Sequence, residues 1–302
     1  MKRILVLGSE GFIGSHVVNA GLQNGYTVHG VDVIDRNPSH YAYDKISLLS
    51  PDFDSFLINN KFDTIFNCAG SGNVSFSVQH PLNDFELNCT TVVFVLDAIR
   101  KHQATCKYVH LSSAAVYGNP VTLPVTESSP VSPVSPYGYH KWMTEIICKE
   151  YAMLYGLSIA IARPFSVYGP GLQKQLIWDV YHKAKNETDI TLWGTGEETR
   201  DFIYVEDLAE ALLAIAEKIK ETTEIYNLAS GVSVTVKYLV QQLFQQLNWQ
   251  RNVGFNGIVR LGDPRFWQAD ISKLVTTGYR LQITLSEGLN RTAKWLHANN
   301  EN

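Results

Sequence analysis

The chain has 302 residues, 45% of them hydrophobic and 18% charged, which is a globular composition and excludes the disordered class. A formal net charge of −4 argues against nucleic acid as a partner, because a phosphate backbone needs a basic surface. It leaves room for a small anionic ligand held by a few arginines and backbone N–H groups. No apolar run approaches the ~18 residues of a membrane span, and the N-terminus enters a strand with no apolar signal region, so no membrane partner and a cytoplasmic setting are expected. Cys68, Cys89, Cys106 and Cys148 lack metal-clip spacing, sit among apolar residues and read as reduced, buried thiols. No cluster of His, Asp and Glu has metal-ligand spacing either.

In chain order, Arg3–Leu7 reads as a short strand buried on both faces, followed by a helix over 12–24 and a strand over 27–33. The pattern then predicts a helix over 53–60, a strand at Thr64–Asn67, a helix over 88–102 and a strand at Lys107–Leu111. A long helix over 137–155 precedes a strand over 158–162. Strands alternating with helices at this spacing imply βαβ units and a parallel sheet. After Arg163 the rhythm changes. Gly169-Pro170-Gly171 and Gly194-Thr195-Gly196 punctuate shorter elements, 205–219 is a helix with an apolar stripe, and 225–228 suits one more strand of the first sheet. The remainder, to about Leu296, reads as two helices and scattered turns.

The first turn carries three glycines, Gly8, Gly11 and Gly14, with Phe12 and Ile13 opening the helix. Glycine lets a backbone approach a pyrophosphate, and the helix N-terminus offers free N–H groups and a positive dipole end. Asp32 ends the second strand, 18 residues past Gly14, where a carboxylate accepts hydrogen bonds from an adenosine ribose. Asp32 and Glu10 both repel a 2′-phosphate and favour NAD. Arg36 points the other way, toward NADP. The fold class expected is α/β, a Rossmann-type doubly wound parallel sheet with a smaller, interleaved C-terminal α/β lobe for substrate. The nucleotide domain would take residues 1–165 and about 201–229, and the substrate lobe 166–200 and 230–302.

Tyr137 and Lys141 are four apart in a helix and share a face. An ammonium beside a phenol stabilises the phenolate and lowers its pKa from near 10, which suits Tyr137 to proton transfer near neutral pH. Ser112 and Ser113 stand at a strand's carboxyl end, where a hydroxyl can bond a reacting oxygen.

With these residues in hand the chain resembles the extended short-chain dehydrogenase/reductases, and among them the NAD-dependent nucleotide-sugar epimerase/dehydratase family to which UDP-galactose 4-epimerase belongs. The resemblance covers nearly the whole length. It rests on the glycine motif, Asn67-Cys68-Ala69-Gly70, Asn88, Ser113, Tyr137 and Lys141. It continues through the segment Arg163 to Gly171, the segment Arg200 to Asp207, Arg260 to Asp263, and Ala269-Asp270. The resemblance implies that Tyr137 is the acid/base, that Lys141 also holds the nicotinamide ribose, and that Ser113 hydrogen-bonds the sugar oxygen. Ala69, Gly70, Asn88, Ser112 and Pro164 would join Gly8, Gly11, Phe12, Ile13, Gly14 and Asp32 around NAD. Ser166, Arg200 and Arg260 would meet the nucleotide diphosphate, and Asp263 the nucleotide ribose. A homodimer built on the helices over 88–102 and 137–155 is implied as well.

Sugar 4,6-dehydratases of this kind carry an acidic pair after the catalytic Ser/Thr, and decarboxylases keep a Glu there. Here Ala114 and Ala115 stand in those places and cannot move a proton. An epimerase of a nucleotide sugar, C4 of a UDP-hexose first among the choices, is therefore expected, with an NAD(P)H-dependent keto-sugar reductase as the alternative. A non-catalytic NAD sensor is disfavoured because Ser113, Tyr137 and Lys141 are all present. Three departures from the resemblance stand out. Ser166 replaces an Asn, Gly72 replaces a longer basic side chain near the cofactor, and the bulky Trp267 falls where pocket size is set, or is ordinary core packing. His16, His110 and His140 read as structural.

Overall fold

A computed structural model of the chain describes residues 1–36, 38–220, 223–258 and 265–299. It opens with strand β1 (Arg3–Leu7), helix α1 (Phe12–Gln23), β2 (Thr27–Asp32), β3 (Ala42–Lys45), α2 (Pro51–Asn59) and β4 (Thr64–Asn67). Two short helices follow, α3 (Val74–Gln79) and α4 (Pro81–Phe85), and a π-helical turn at Glu86–Thr90 leads into α5 (Thr91–His102). Then come β5 (Lys107–Leu111), a 3₁₀ turn at Ala114–Tyr117, α6 (Pro136–Tyr155), β6 (Ser158–Pro164) and β7 (Ser166–Tyr168). The rest comprises α7 (Gln175–Asn186), β8 (Asp189–Leu192), β9 (Thr199–Tyr204), α8 (Val205–Lys218), β10 (Glu224–Leu228), β11 (Ser233–Thr235), α9 (Val236–Leu247), β12 (Asn252–Phe255), α10 (Ser272–Val275) and α11 (Leu285–Ala298).

Seven strands form one parallel sheet in the order β10-β6-β5-β4-β1-β2-β3. Its residues alternate between two cores. Ile4, Val6, Phe66, Val109, Ala160 and Ala162 face one side with Val17 and Val18 of α1 and Leu208 and Leu212 of α8. Leu5, Leu7, Ile65, Tyr108, Ile159 and Ile161 face the other, with Phe53 and Leu57 of α2, Val95 and Ile99 of α5 and Cys148 of α6. Burial on both faces is why these strands read as nearly unbroken apolar runs. The strand order reverses at β1, so the crevice lies outside the carboxyl ends of β1 and β4, the place where open sheets of this type bind ligands. This is the Rossmann-type fold expected.

The edge strand β3 escapes a sequence pattern because Ala42, Tyr43, Asp44 and Lys45 are all at least partly exposed and carry no buried face. The helix expected from residue 88 begins at Thr91, because the π-helical turn takes up Asn88 first. Beyond β6 a separate core gathers Tyr181, Leu192, Tyr204, Leu243 and Leu289 between α7, α9 and α11, with two small sheets, β11-β9-β7 and β12-β8. Residues 199–204 pair within that smaller sheet, while α8 and β10 pack on the large one. We propose the division into a nucleotide domain, 1–165 with about 201–229, and a substrate lobe, 166–200 with 230–302, with β9 bridging the two. Cys89, Cys106 and Cys148 are buried, Cys68 partly so, and all four are free thiols. Among the described residues no helix is long and apolar enough to cross a membrane.

α6 starts where the sequence says it should. The Ser135 hydroxyl accepts from the Gly138 amide at 3.2 Å, and Pro136 occupies the first turn, where its missing N–H is no loss. Gly156, in the left-handed region at φ 71°, ends the helix. One turn beyond Lys141, Glu145 accepts from Arg163 Nε at 2.8 Å and Nη2 at 2.5 Å, and from the Ser112 hydroxyl at 2.6 Å. Arg163 also donates to the Tyr117 hydroxyl at 2.7 Å, which donates to Asn227 Oδ1. Arg163 is 2% and Glu145 1% exposed, so neither charge has water to fall back on. Glu145→Ala should therefore lower unfolding stability by about 3 kcal/mol or more, because it strands a buried guanidinium. Denaturant titration of the purified variant measures this.

Candidate active site

The glycine turn is built for close approach. Gly8 has φ +74°, and a Cβ on Gly14 would stand 2.0 Å from the Gly8 carbonyl oxygen. A Cβ on Gly8 would stand 2.8 Å from the Ala69 backbone, so the loops after β1 and β4 touch across the crevice. The N-cap of α1 is Gly11, which has no side chain to close off the first N–H groups. Those donors and the positive helix end can hold a diphosphate. At the end of β2, Asp32 accepts from the amides of Glu10 at 3.0 Å and Val33 at 2.7 Å, and keeps lone pairs for a ribose hydroxyl. The structure fits a dinucleotide at this crevice.

Arg36 does not serve as a free phosphate receptor. Its guanidinium donates to Glu10 at 2.9 Å, and Glu10 also takes the Tyr41 hydroxyl in a close contact. The Glu10 side chain is 8% exposed and that of Arg36 64%, so the carboxylate is the anchored partner. The residue that argued for NADP is thus tied to one that argues against it.

The loops after β4, β5 and β6 bring the remaining candidates together. Ser113 caps the 3₁₀ turn, accepting from the Ala115 amide at 3.1 Å, and its hydroxyl stands close enough to the Tyr137 phenol to favour the phenolate. A Cβ on Gly138 would meet the Ala115 carbonyl at 2.7 Å, so glycine is what lets α6 come this close to the turn. Tyr137 is anchored through its amide, which donates to the Ser77 hydroxyl at 3.0 Å. Lys141 Nζ lies 5.9 Å from the Tyr137 ring centroid and donates to the Leu111 carbonyl at 2.9 Å.

The electrostatics differ from the expectation that Lys141 lowers the phenol. Burial pushes Tyr137 up to about 12, the Ser113 hydroxyl pulls it back in part, and the Asp84 carboxylate raises it further. Lys141 is itself brought down to about 8 by burial, against the pull of Asp84. Both groups are taken out of water, and the ammonium is turned to a backbone carbonyl rather than to the phenol oxygen. In the polypeptide alone desolvation is the largest influence on both groups.

Asn88 Oδ1 is buried, without a partner among the described residues, and 2.7 Å from where a Cβ on Gly70 would stand. Ser112 sits at the end of β5 on Glu145, and Pro164 ends β6 beside Leu228 of β10. Ser166 and Arg200 are half-buried on the adjacent strands β7 and β9. Arg200 donates to the Thr199 and Arg265 carbonyls, and its guanidinium lies 5.9 Å from the Trp267 ring centroid. Arg260 and Asp263 lie outside the described residues. Trp267 is buried, donates to the Gly118 carbonyl at 3.1 Å and packs edge-on against Phe165. His16 meets the Pro170 carbonyl at 3.1 Å, and His110 meets the Thr144 hydroxyl at 2.8 Å in the core.

Two groups were missed by sequence reasoning. Glu145 continues the four-residue step of Tyr137 and Lys141, a signal that was available. Asp84 gave none. It is fully buried, pairs with His140 Nδ1 at 2.6 Å, and places a negative charge near both Lys141 and Tyr137. Only the packing of α4 against α6 reveals it.

With this geometry in place, the comparisons with known proteins are direct. Residues 4–229 match the profile of the NAD dependent epimerase/dehydratase family. The chain belongs to this family. A relative in Methanocaldococcus jannaschii is 33% identical over 313 residues, 98% of this chain and 99% of that one. The structure of a UDP-glucose 4-epimerase from Thermotoga maritima with UDP-glucose superposes with a TM-score of 0.90 at 27% identity, covering 99% of this chain and 100% of that one. A UDP-glucuronic acid 4-epimerase from Bacillus cereus, in complex with UDP-glucuronic acid and NAD, gives 0.89 at 27% identity over 98% and 99% of the two chains. The family's cofactor is NAD, and this epimerase/dehydratase family member keeps the glycine turn and Asp32 that suit it.

Glu10→Ala should free Arg36 and remove a charge that repels a 2′-phosphate. The ratio of NADPH to NADH affinity should rise about tenfold, equivalent to about 1.4 kcal/mol. Fluorescence titration with each reduced nucleotide reads the ratio.

Proposed function

We propose that the chain is an NAD-dependent epimerase of a nucleotide-activated sugar, acting at C4 of a UDP-hexose-type substrate through a transient 4-keto sugar. The observation that carries this reading is the meeting of Ser113, Tyr137 and Lys141 beside the nucleotide crevice, next to two alanines. Ala114 is fully buried, and neither it nor Ala115 offers a carboxylate to remove a second proton and expel water. The relatives' substrates support a nucleotide sugar in the same place.

When bound, NAD supplies a hydride acceptor, and then donor, at the sugar carbon, and its oxidised ring is cationic. The chain's own residues do the rest. Ser113 hydrogen-bonds the reacting O4 and the Tyr137 phenol together. Tyr137 takes the O4 proton as the carbon is oxidised and returns it after the sugar has presented its other face. Lys141 supplies the positive charge that a phenolate needs, and Asp84, paired with His140, keeps that ammonium protonated. Ser166 and Arg200, with Arg260 and Asp263, are the groups we assign to the nucleotide diphosphate and ribose. The setting we assign is the cytosol, where free thiols stay reduced.

A panel of UDP-, dTDP-, GDP- and CDP-sugars incubated without added cofactor tests the reading. One epimer should form with no net change in NADH absorbance. Product appearing only with stoichiometric NADPH would replace the epimerase with a keto-sugar reductase, and loss of water would make it a dehydratase. Tyr137→Phe should cut turnover by about 10²- to 10⁴-fold and leave NAD bound. Near-normal activity in that variant would remove Tyr137 from the mechanism.

We also propose a homodimer. α4 to α6 leave a run of large apolar side chains in water, among them Leu82 at 67%, Phe94 at 50% and Ile146 at 50% exposure, with Met143 and Tyr139 one turn apart on α6. Such a surface is what a second copy would cover. Light scattering should give twice the mass of the chain, and Phe94→Glu with Ile146→Glu should give the monomer.

A further inference from the structure

We infer that Lys174 clamps a diphosphate from above, through a strap that the substrate lobe lays across the nucleotide crevice. The strap is the segment 169–174, between β7 and α7. Near its start, the Pro170 carbonyl meets His16 Nε2 at 3.1 Å, and the Gly171 backbone comes within reach of the Phe12 ring, where a Cβ would lie 3.6 Å from Cδ2. Phe12 and His16 stand in the first turns of α1. At its end, Lys174 Nζ lies 3.7 Å from where a Cβ on Gly72 would stand, in the loop after β4. The strap therefore touches both banks of the β1/β4 crevice.

The charge at its end is unspent. Lys174 has no hydrogen-bond or ion-pair partner among the described residues. Solvent reaches it, yet the cleft walls around it lower its pKa by desolvation. A surface lysine usually stands free of such walls or finds a carboxylate. This one faces Gly72, on a crevice whose other bank carries the N-terminus of α1, itself a positive end with open N–H donors. Two positive elements on one crevice favour a multiply charged anion between them. The backbone holds the arrangement, since Gln175, immediately after the lysine, sits at φ +68°, a left-handed conformation seldom adopted by residues with side chains. Gly72, with no side chain, leaves the space that the ammonium occupies from the opposite bank.

A diphosphate can reach this point from two molecules, the cofactor or the sugar nucleotide. The cofactor arm stands on NAD alone, while the substrate arm rests on the function proposed above. The full chain, freed of bound nucleotide, is titrated with NADH by fluorescence and with UDP by calorimetry, for wild type, Lys174→Met and Lys174→Arg. Melting temperatures confirm that the variants are folded. Loss of one charge-assisted contact should weaken Lys174→Met binding of one of the two ligands about tenfold or more, and Lys174→Arg should recover most of it. A loss for NADH places the clamp on the cofactor, and a loss for UDP places it on the substrate. If neither affinity moves by about twofold, the clamp is wrong. A wild type that binds NADH but not UDP would count against the nucleotide-sugar reading, and the clamp would then stand or fall on NADH.

Discussion

One buried ion pair holds α6 in register with the sheet. Tyr137, Lys141 and Glu145 follow each other at four-residue steps on α6, and the last of them is locked to Arg163 of β6. Rotating or sliding α6 would break that pair in a place without water, where a lone charge is costly. The same carboxylate takes the Ser112 hydroxyl, so the end of β5, which presents Ser113, is referenced to the same group. The contact between Ser113 and Tyr137 is thus the far end of a chain of constraints that begins two helical turns away. Gly138 completes it by letting the helix backbone sit against the 3₁₀ turn.

The crevice is organised by charge as much as by shape. Its floor is the open N-terminus of α1, and one wall ends in the Lys141 ammonium. The negative groups are each held by partners within the protein. Asp32 accepts from two backbone amides, Glu10 is tied to Arg36 and Tyr41, and Asp84 lies buried near Lys141 on His140. A net-negative protein can therefore offer a locally positive site to an anionic dinucleotide.

The large sheet was readable because its strands are buried on both faces and its helices carry apolar stripes. Ile4 to Leu7 and Ile159 to Ala162 admit few other interpretations. The glycine turn, the place of Asp32 at the end of β2 and the siting of Tyr137 and Lys141 on one helix were readable because each depends on local backbone chemistry or on one helical step. The smaller lobe was not. β7, β8, β11 and β12 have three or four residues each, too few to show a period, and their burial depends on partners distant in the chain. The exposed β3 fails because it carries no buried face. Within the site, Asp84 was missed because nothing in its own segment marks it. Its place beside Lys141 comes from α6, which only the fold brings near. The protonation of Tyr137 and Lys141 was misjudged for a related reason, since spacing shows that two groups are neighbours but not how much water each has lost.

That loss of water ties the stability of the molecule to alkalinity. Lys141 titrates at about 8 when folded against 10.5 as a free side chain, so between those values the unfolded chain holds a proton that the native one has released. Over that span stability rises with pH. Tyr137 works in the opposite sense. Its folded value of about 12 exceeds the ordinary 10.0, so above about pH 10 the native state keeps a proton that the unfolded state sheds, and stability falls. As far as these two residues are concerned, stability climbs from about pH 8 and the fold is under least strain near pH 10. At neutral pH it carries a desolvated ammonium that a purely structural protein would have replaced with an apolar side chain.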